Sequence, residues 1–189
     1  ASELLFPTHF KKHTRQVELK GEAYFKVKHN PERPFYVLLG TLNVEVTGTT
    51  FNIKAYEEEG NICVALIEGS VNVREGQKIL ATLSPGELFT YHKAAREYNT
   101  AQANISAITS WTEDKFVFHN ETIGTIMNDL SRWYNVEISV SEDIRDIRYN
   151  GILSRKQPLT EILNILHLTN ELDFKIYQNR KIDAIEKKN

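Results

Sequence analysis

The sequence predicts a mainly β protein with an α+β tail: an N-terminal all-β domain, sandwich-like or coiled like a solenoid, then a small duplicated βαβ module. Three observations carry this. Residues 116–140 and 152–176 follow one apolar pattern, Ile123 matching Leu159 at an offset of 36 positions. Short β-rich runs fill the stretch from Arg15 to about Tyr91, and a polar, alanine-rich segment separates the two regions.

The first 14 residues mix Pro7 with lysines and histidines and read as a poorly ordered lead-in (residues 1–14). The all-β domain is expected over residues 15–92. Its strands are Val17–Leu19, Ala23–Val27, Phe35–Leu39, Leu42–Val46, Phe51–Tyr56, Ile62–Ile67, Val71–Arg74, Ile79–Leu83 and Leu88–Tyr91. Gly21, Asn30-Pro31, Gly40, Gly48, Gly60, Gly69, Gly76 and Pro85-Gly86 punctuate them. Turn signals every ~8–12 residues without intervening helix are the signature of a sandwich or solenoid. Lys93–Ser110 is the expected linker, drawn as residues 93–112 to include the anchoring Trp111.

In the last region, residues 113–189, each copy of the duplication starts with apolar residues at i, i+3, i+4 and i+7 and continues with alternation. That is one helix stripe followed by one strand face. Ile126, Met127 and Leu130 match Ile162, Leu163 and Leu166; Val136, Ile138 and Val140 match Leu172, Phe174 and Ile176. The first helix is expected over Thr122–Tyr134 and the second from Pro158 to near Asn170. Phe174–Tyr177 and Lys181–Ile185 read as a closing hairpin. A stripe and a sheet face of this kind bury against each other, and modules of this size mainly serve to bind other proteins.

Bulk properties exclude several classes. The chain has 189 residues, 41% hydrophobic and 25% charged, with a net charge of −2. That balance supplies no electrostatic reason to expect nucleic acid or an anionic membrane as partner. Its longest apolar runs are too short to span a bilayer. No leader pattern opens it, so any targeting or anchoring segment is expected outside this sequence. Cys63, the sole cysteine, lies in an apolar run and reads as a buried thiol.

No catalytic, cofactor or metal site is expected. Among His9, His13, His29, His92, His119 and His167, only the first two have helix-face spacing, and no His-x-His pair exists. Ser70 lacks a Gly-x-Ser-x-Gly context, and Thr47-Gly48-Thr49-Thr50 lacks the lysine of a phosphate loop. Glu113/Asp114 and Glu142/Asp143 are adjacent acids on polar turns, which are usually solvated. The acidic run Glu57–Glu59 reads as a hairpin tip without calcium-loop spacing.

Four segments, read in order, carry a resemblance: Leu19–Val27 (LKGEAYFKV), Val46–Ile53 (VTGTTFNI), Leu66–Val73 (LIEGSVNV) and Leu83–Glu87 (LSPGE). They resemble the periplasmic region of the FecR family, transmembrane anti-sigma factors of Gram-negative bacteria. Trp111, Phe116–Phe118 and Leu130–Val136 (LSRWYNV) resemble the second domain found in the Bacteroidetes branch, itself similar to the short secretin/TonB N-terminal module. Thr122-Ile123 stands where Pro-Leu is expected, and Asp114 where glycine is common. The resemblance implies a relay without enzymatic activity. The signalling domain of an outer-membrane TonB-dependent transporter binds this region, and the message reaches an extracytoplasmic-function sigma factor through a cytoplasmic segment outside this sequence. It also implies a periplasmic location, with an inner-membrane helix elsewhere in the full-length protein.

A small sheet with an open edge can accept a partner strand through main-chain hydrogen bonds. Arg148 and Tyr149, opening the second repeat, and Arg132 and Tyr134 on the first helix are the candidate contact residues. Trp133 and Tyr134 lie on or beside the apolar stripe, where a core role is commoner. Alternative readings are a carbohydrate-binding or enzymatic β-domain, and a subunit of an envelope assembly.

Overall fold

The computed structural model describes residues 2–168 and 172–187. They divide between Thr109 and Ser110 into two compact units.

The first unit contains β1 (Glu3–Leu5), β2 (Arg15–Lys26), β3 (Phe35–Leu39), β4 (Leu42–Val46), β5 (Thr50–Ala55), β6 (Asn61–Glu68), β7 (Val71–Glu75), β8 (Lys78–Leu83), β9 (Glu87–His92) and β10 (Glu97–Gln102), with a short helix α1 (Ile105–Ile108). Nine strands run in the order β10-β9-β6-β5-β2-β3-β4-β7-β8, and β1 pairs with β2. β3 and β4 bury every second residue, the pattern of a sheet with one face inward.

β2 turns this ribbon into two layers. Its first part, Arg15–Glu18, runs parallel to β3, and its second, Gly21–Lys26, runs antiparallel to β5. Gly21 sits at the changeover with φ +102°, and a Cβ there would lie 2.6 Å from Ser2 Oγ. That hydroxyl accepts a hydrogen bond from the Glu22 N–H at 2.9 Å. Beyond the corner, Phe25 stacks on Phe51 (centroids 5.1 Å apart) and meets Phe35 of the other layer at 5.9 Å. Val37, Val44 and Val73 from one layer and Phe51, Ile53, Val64 and Phe89 from the other form one core, each fully buried.

Three expectations are corrected in this unit. Where Val17–Leu19 and Ala23–Val27 suggested two strands, one bent strand runs through Gly21. The segment 1–14 is not a poorly ordered lead-in over its described residues. Leu4 lies opposite Leu19 in an antiparallel ladder, and Phe10 packs edge-on against Phe35. Long-range pairing of this kind leaves no periodic mark in the segment itself. The third concerns the linker: Glu97–Gln102 forms β10, antiparallel to β9, with all six side chains exposed. An edge strand that buries no side chain has no need of alternation, so composition concealed it. Asn104 then caps α1, its side chain accepting from the Ala107 N–H at 3.1 Å.

The second unit opens with one 3₁₀ turn at Ser110–Glu113. β11 (Lys115–Thr122), α2 (Ile123–Tyr134) and β12 (Glu137–Val140) follow, then α3 (Glu142–Arg145), β13 (Arg148–Ser154), α4 (Leu159–Leu168), β14 (Leu172–Ile176) and β15 (Lys181–Glu186). The duplication is visible in space. β11 pairs antiparallel with β13, the opening strands of the two repeats. The closing strands, β12 and β14, do not touch; β15 lies between them, parallel to β12 and antiparallel to β14. Ile126, Met127 and Leu130 and their counterparts Ile162, Leu163 and Leu166 share one core with Ile123 and Leu172.

Thr122 caps α2, accepting from the Thr125 N–H at 3.2 Å, and Asn135 ends it in the left-handed region with φ +53°. The expected end of the second helix near Asn170 lies outside the described residues. α3 is an element the sequence reading missed. Its four residues are too few to show a period, yet Ile144 is wholly buried. Among the described residues, no helix is long and apolar enough to cross a membrane.

Candidate partner-docking surface

The second unit offers backbone hydrogen-bonding groups at sheet edges. Among the described strands, β12 pairs only with β15, β14 only with β15, and β11 and β13 only with each other. The β12 edge is defined best. The Ser141 N–H donates to the Ala184 carbonyl at 3.0 Å, so Ser139 and Ser141 direct their main chain toward β15. By strand alternation, Ile138 and Val140 present their N–H and C=O groups to the opposite side. That edge borders a polar cleft of about 460 Å³ between β12 and α2, lined among others by Thr122, Thr125, Asn128 and Arg145.

The four candidate residues do not come together. Arg148 pairs across the ribbon with Thr122, beside the start of α2, whereas Tyr134 is the last residue of that helix. Twelve helical residues separate the two ends by ~18 Å. Arg148 is exposed, and its Nη1 donates to the Asn120 carbonyl at 2.6 Å. This contact holds the bulge that shifts the β11–β13 register between Phe118 and Glu121. Tyr149, opposite Glu121, packs its ring against the core.

At the far end, the Tyr134 hydroxyl donates to the Gln157 carbonyl at 2.6 Å while its ring joins the core. Burial pushes its pKa up, against the opposing pull of the Arg155 charge. Arg132 is 12% exposed and pairs with Asp129 one turn earlier. Tyr134, Tyr149 and Arg132 therefore all have structural contacts, and Arg148 presents the most surface of the four.

Two neighbours outside the candidate set, Trp133 and Arg155, stand at this end, and Trp133 is not the core residue expected of it. Trp133 is 45% exposed, and its Nε1 donates to the Arg155 carbonyl at 3.1 Å. The Arg155 guanidinium stacks over both Phe116 (4.1 Å) and Trp133 (4.7 Å). The signal for separating Trp133 from Tyr134 was available. At 100° per residue the stripe runs from Ile126, about −60° from Ile123, to Met127 at about +40°; Tyr134 at about +20° lies inside it, and Trp133 at about −80° lies about 20° outside. The ring with the smaller deviation is the core residue.

Among the described residues, no group of three or more histidine, cysteine, aspartate or glutamate side chains could hold a metal ion. Burial pushes the Cys63 thiol up, away from the thiolate form.

The architecture is that of a two-unit, mainly β protein whose second unit is built by duplication and keeps open sheet edges. Comparison gives it a family. Residues 1–72 match the model of the FecR protein, and residues 115–183 match the model of the FecR C-terminal region. The chain belongs to the FecR family. It also resembles the crystal structure at 1.65 Å resolution of a protein from Parabacteroides distasonis ATCC 8503, provisionally described as an anti-sigma factor. The TM-score is 0.87 at 26% identity, over 99% of this chain and 87% of that one. A second crystal structure under the same description, at 2.50 Å, gives the same values. No curated protein matches the sequence. Family and solved structures together support an anti-sigma regulatory role.

Proposed function

We propose that this chain is the periplasmic sensing region of a transmembrane anti-sigma regulator, and that it acts by docking, without catalysis. Its partner is the signalling domain of an outer-membrane TonB-dependent transporter. The signal passes to an extracytoplasmic-function sigma factor through a cytoplasmic segment of the full-length protein, anchored in the inner membrane. The observation that carries this reading is the β12 edge, unpaired among the described strands, on the unit that matches the FecR C-terminal model.

An incoming strand would bond to the outward main-chain groups of Ile138 and Val140. The polar cleft beside them would take its side chains, and Arg148 at the margin would meet an acidic group. Tyr134, Tyr149 and Arg132 hold the scaffold.

Calorimetric titration with each transporter signalling domain of the source organism tests this. One domain is expected to bind at micromolar affinity or better while its paralogues do not. Ser139→Lys, on the exposed side of the edge strand, should weaken that binding at least about tenfold, because an edge lysine opposes strand addition. Silence across a full set of folded domains would overturn the relay. Binding that Ser139→Lys leaves untouched would move the site off β12.

A further inference from the structure

The first unit carries a local charge imbalance that the docking function does not use. Residues 9–15 and 26–33 hold six cations, Lys11, Lys12, Arg15, Lys26, Lys28 and Arg33, against one acid, Glu32. The whole chain, by contrast, is at −2.

The fold brings the two stretches together. Arg15 Nε donates to the Arg33 carbonyl at 2.8 Å, and its Nη1 to the Lys28 carbonyl at 3.0 Å. Arg33 Nε and Nη2 donate to the carbonyls of Lys11 and Phe10, both at 2.9 Å. Both guanidiniums are thus held by main-chain carbonyls, which align them without neutralising them. Neither meets a carboxylate at ion-pair distance among the described residues. Burial, and to a smaller extent the neighbouring Arg33 charge, lower the pKa of Arg15.

An apolar cleft adjoins this surface. It has a volume of about 410 Å³ and is lined by Leu5, Phe6, Pro7 and Phe10, with His9, Lys11 and Glu18 among its polar members. Phe6 is 68% exposed and Leu5 50%, an unusual display for large apolar side chains. Lys11 belongs to both features: it lines the cleft, and its carbonyl holds Arg33.

We infer that this end of the β unit is a second interaction surface, fitted to an acidic protein segment with an apolar anchor. The anchor enters the Leu5–Phe10 cleft, and carboxylates flank it on Lys11, Lys12, Lys28 and Arg33. Charge complementarity selects this occupant: a guanidinium fork held in place matches a carboxylate, and an apolar partner alone would leave the cationic rim uncompensated. The inference is independent of transporter docking, since it uses a different unit of the chain.

The test is fluorescence anisotropy of a labelled peptide with a Phe-Leu pair between two pairs of glutamates, at physiological ionic strength. Saturable binding is expected, lost when serines replace the glutamates. Lys11→Glu with Lys28→Glu should weaken it at least about tenfold, and Lys78→Glu with Lys175→Glu, an equal charge change elsewhere, should not. Unchanged melting temperatures in both pairs show that the fold is kept; if the first pair unfolds, Lys11→Gln with Lys28→Gln replaces it. Equal weakening by the two pairs would overturn the site in favour of diffuse attraction. Binding to phosphatidylglycerol vesicles without peptide binding would reassign the surface to a membrane. A dimer formed in proportion to concentration and broken by Phe6→Ser would assign the cleft to a second copy.

Discussion

Removing one oxygen separates scaffold from docking residue at Tyr134. In Tyr134→Phe the ring keeps its place in the core, and only the bond from the hydroxyl to the Gln157 carbonyl is lost. A hydrogen bond of this kind contributes about 0.5–1.5 kcal/mol, and the carbonyl left behind is only partly recovered by water. For a unit of this size each kcal/mol moves the melting temperature by about 4–8 °C. Calorimetric melting should therefore show the second unit's transition several degrees lower, with transporter-domain affinity unchanged.

The pH dependence sharpens the test. Burial raises the folded-state pKa of Tyr134 above its unfolded value of about 10. The neutral phenol is the form that folding favours, so its contribution is complete below pH ~10 and is lost as pH rises through the folded value. The gap between wild type and Tyr134→Phe should then narrow above pH ~10. Tyr36 and Tyr177 are also shifted upward, but they are common to both proteins and cancel in the difference. An unchanged melting temperature, or a gap that widens with pH, would refute the structural assignment and return Tyr134 to the contact candidates.

Three further predictions concern the frame that holds the sites. Gly48→Ala should destabilise the first unit by about 1–3 kcal/mol in denaturant unfolding, because its Cβ would fall 2.5 Å from the His29 Cα and the main chain must move. Leu130→Ala and Leu166→Ala, the same position in the two repeats, should each cost the second unit about 2–5 kcal/mol in the same assay. A large loss at one and none at the other would deny the spatial duplication. Arg155→Ala removes the cation that covers Trp133 and Phe116, worth about 0.5–2 kcal/mol; Trp133 fluorescence should shift to the red and quench more readily.

Much of the fold was legible because its signals are local and periodic. The offset of 36 positions fixed two strand–helix–strand repeats, and every stripe residue from Ile123 to Leu130 is buried as the spacing required. Glycine and proline punctuation placed the strands from Phe35 to His92, since turn residues are chosen by backbone geometry at the turn itself. The regulatory family was readable too, through ordered motifs such as Leu66–Val73 and Leu83–Glu87.

What required the tertiary structure depends on partners distant in the chain. β1 and β10 are strands because β2 and β9 offer them a ladder, and neither buries enough side chain to announce itself. The bend at Gly21 decides that one strand serves two layers. β15 enters between β12 and β14 and so determines which edge of β12 stays open. The clamp between Arg15, Arg33 and the Phe10–Lys11 carbonyls joins charges that are 18 or more positions apart. Periodicity reports which face of an element is buried; the element that covers it, and the edge left uncovered, follow only from the packing of the whole chain.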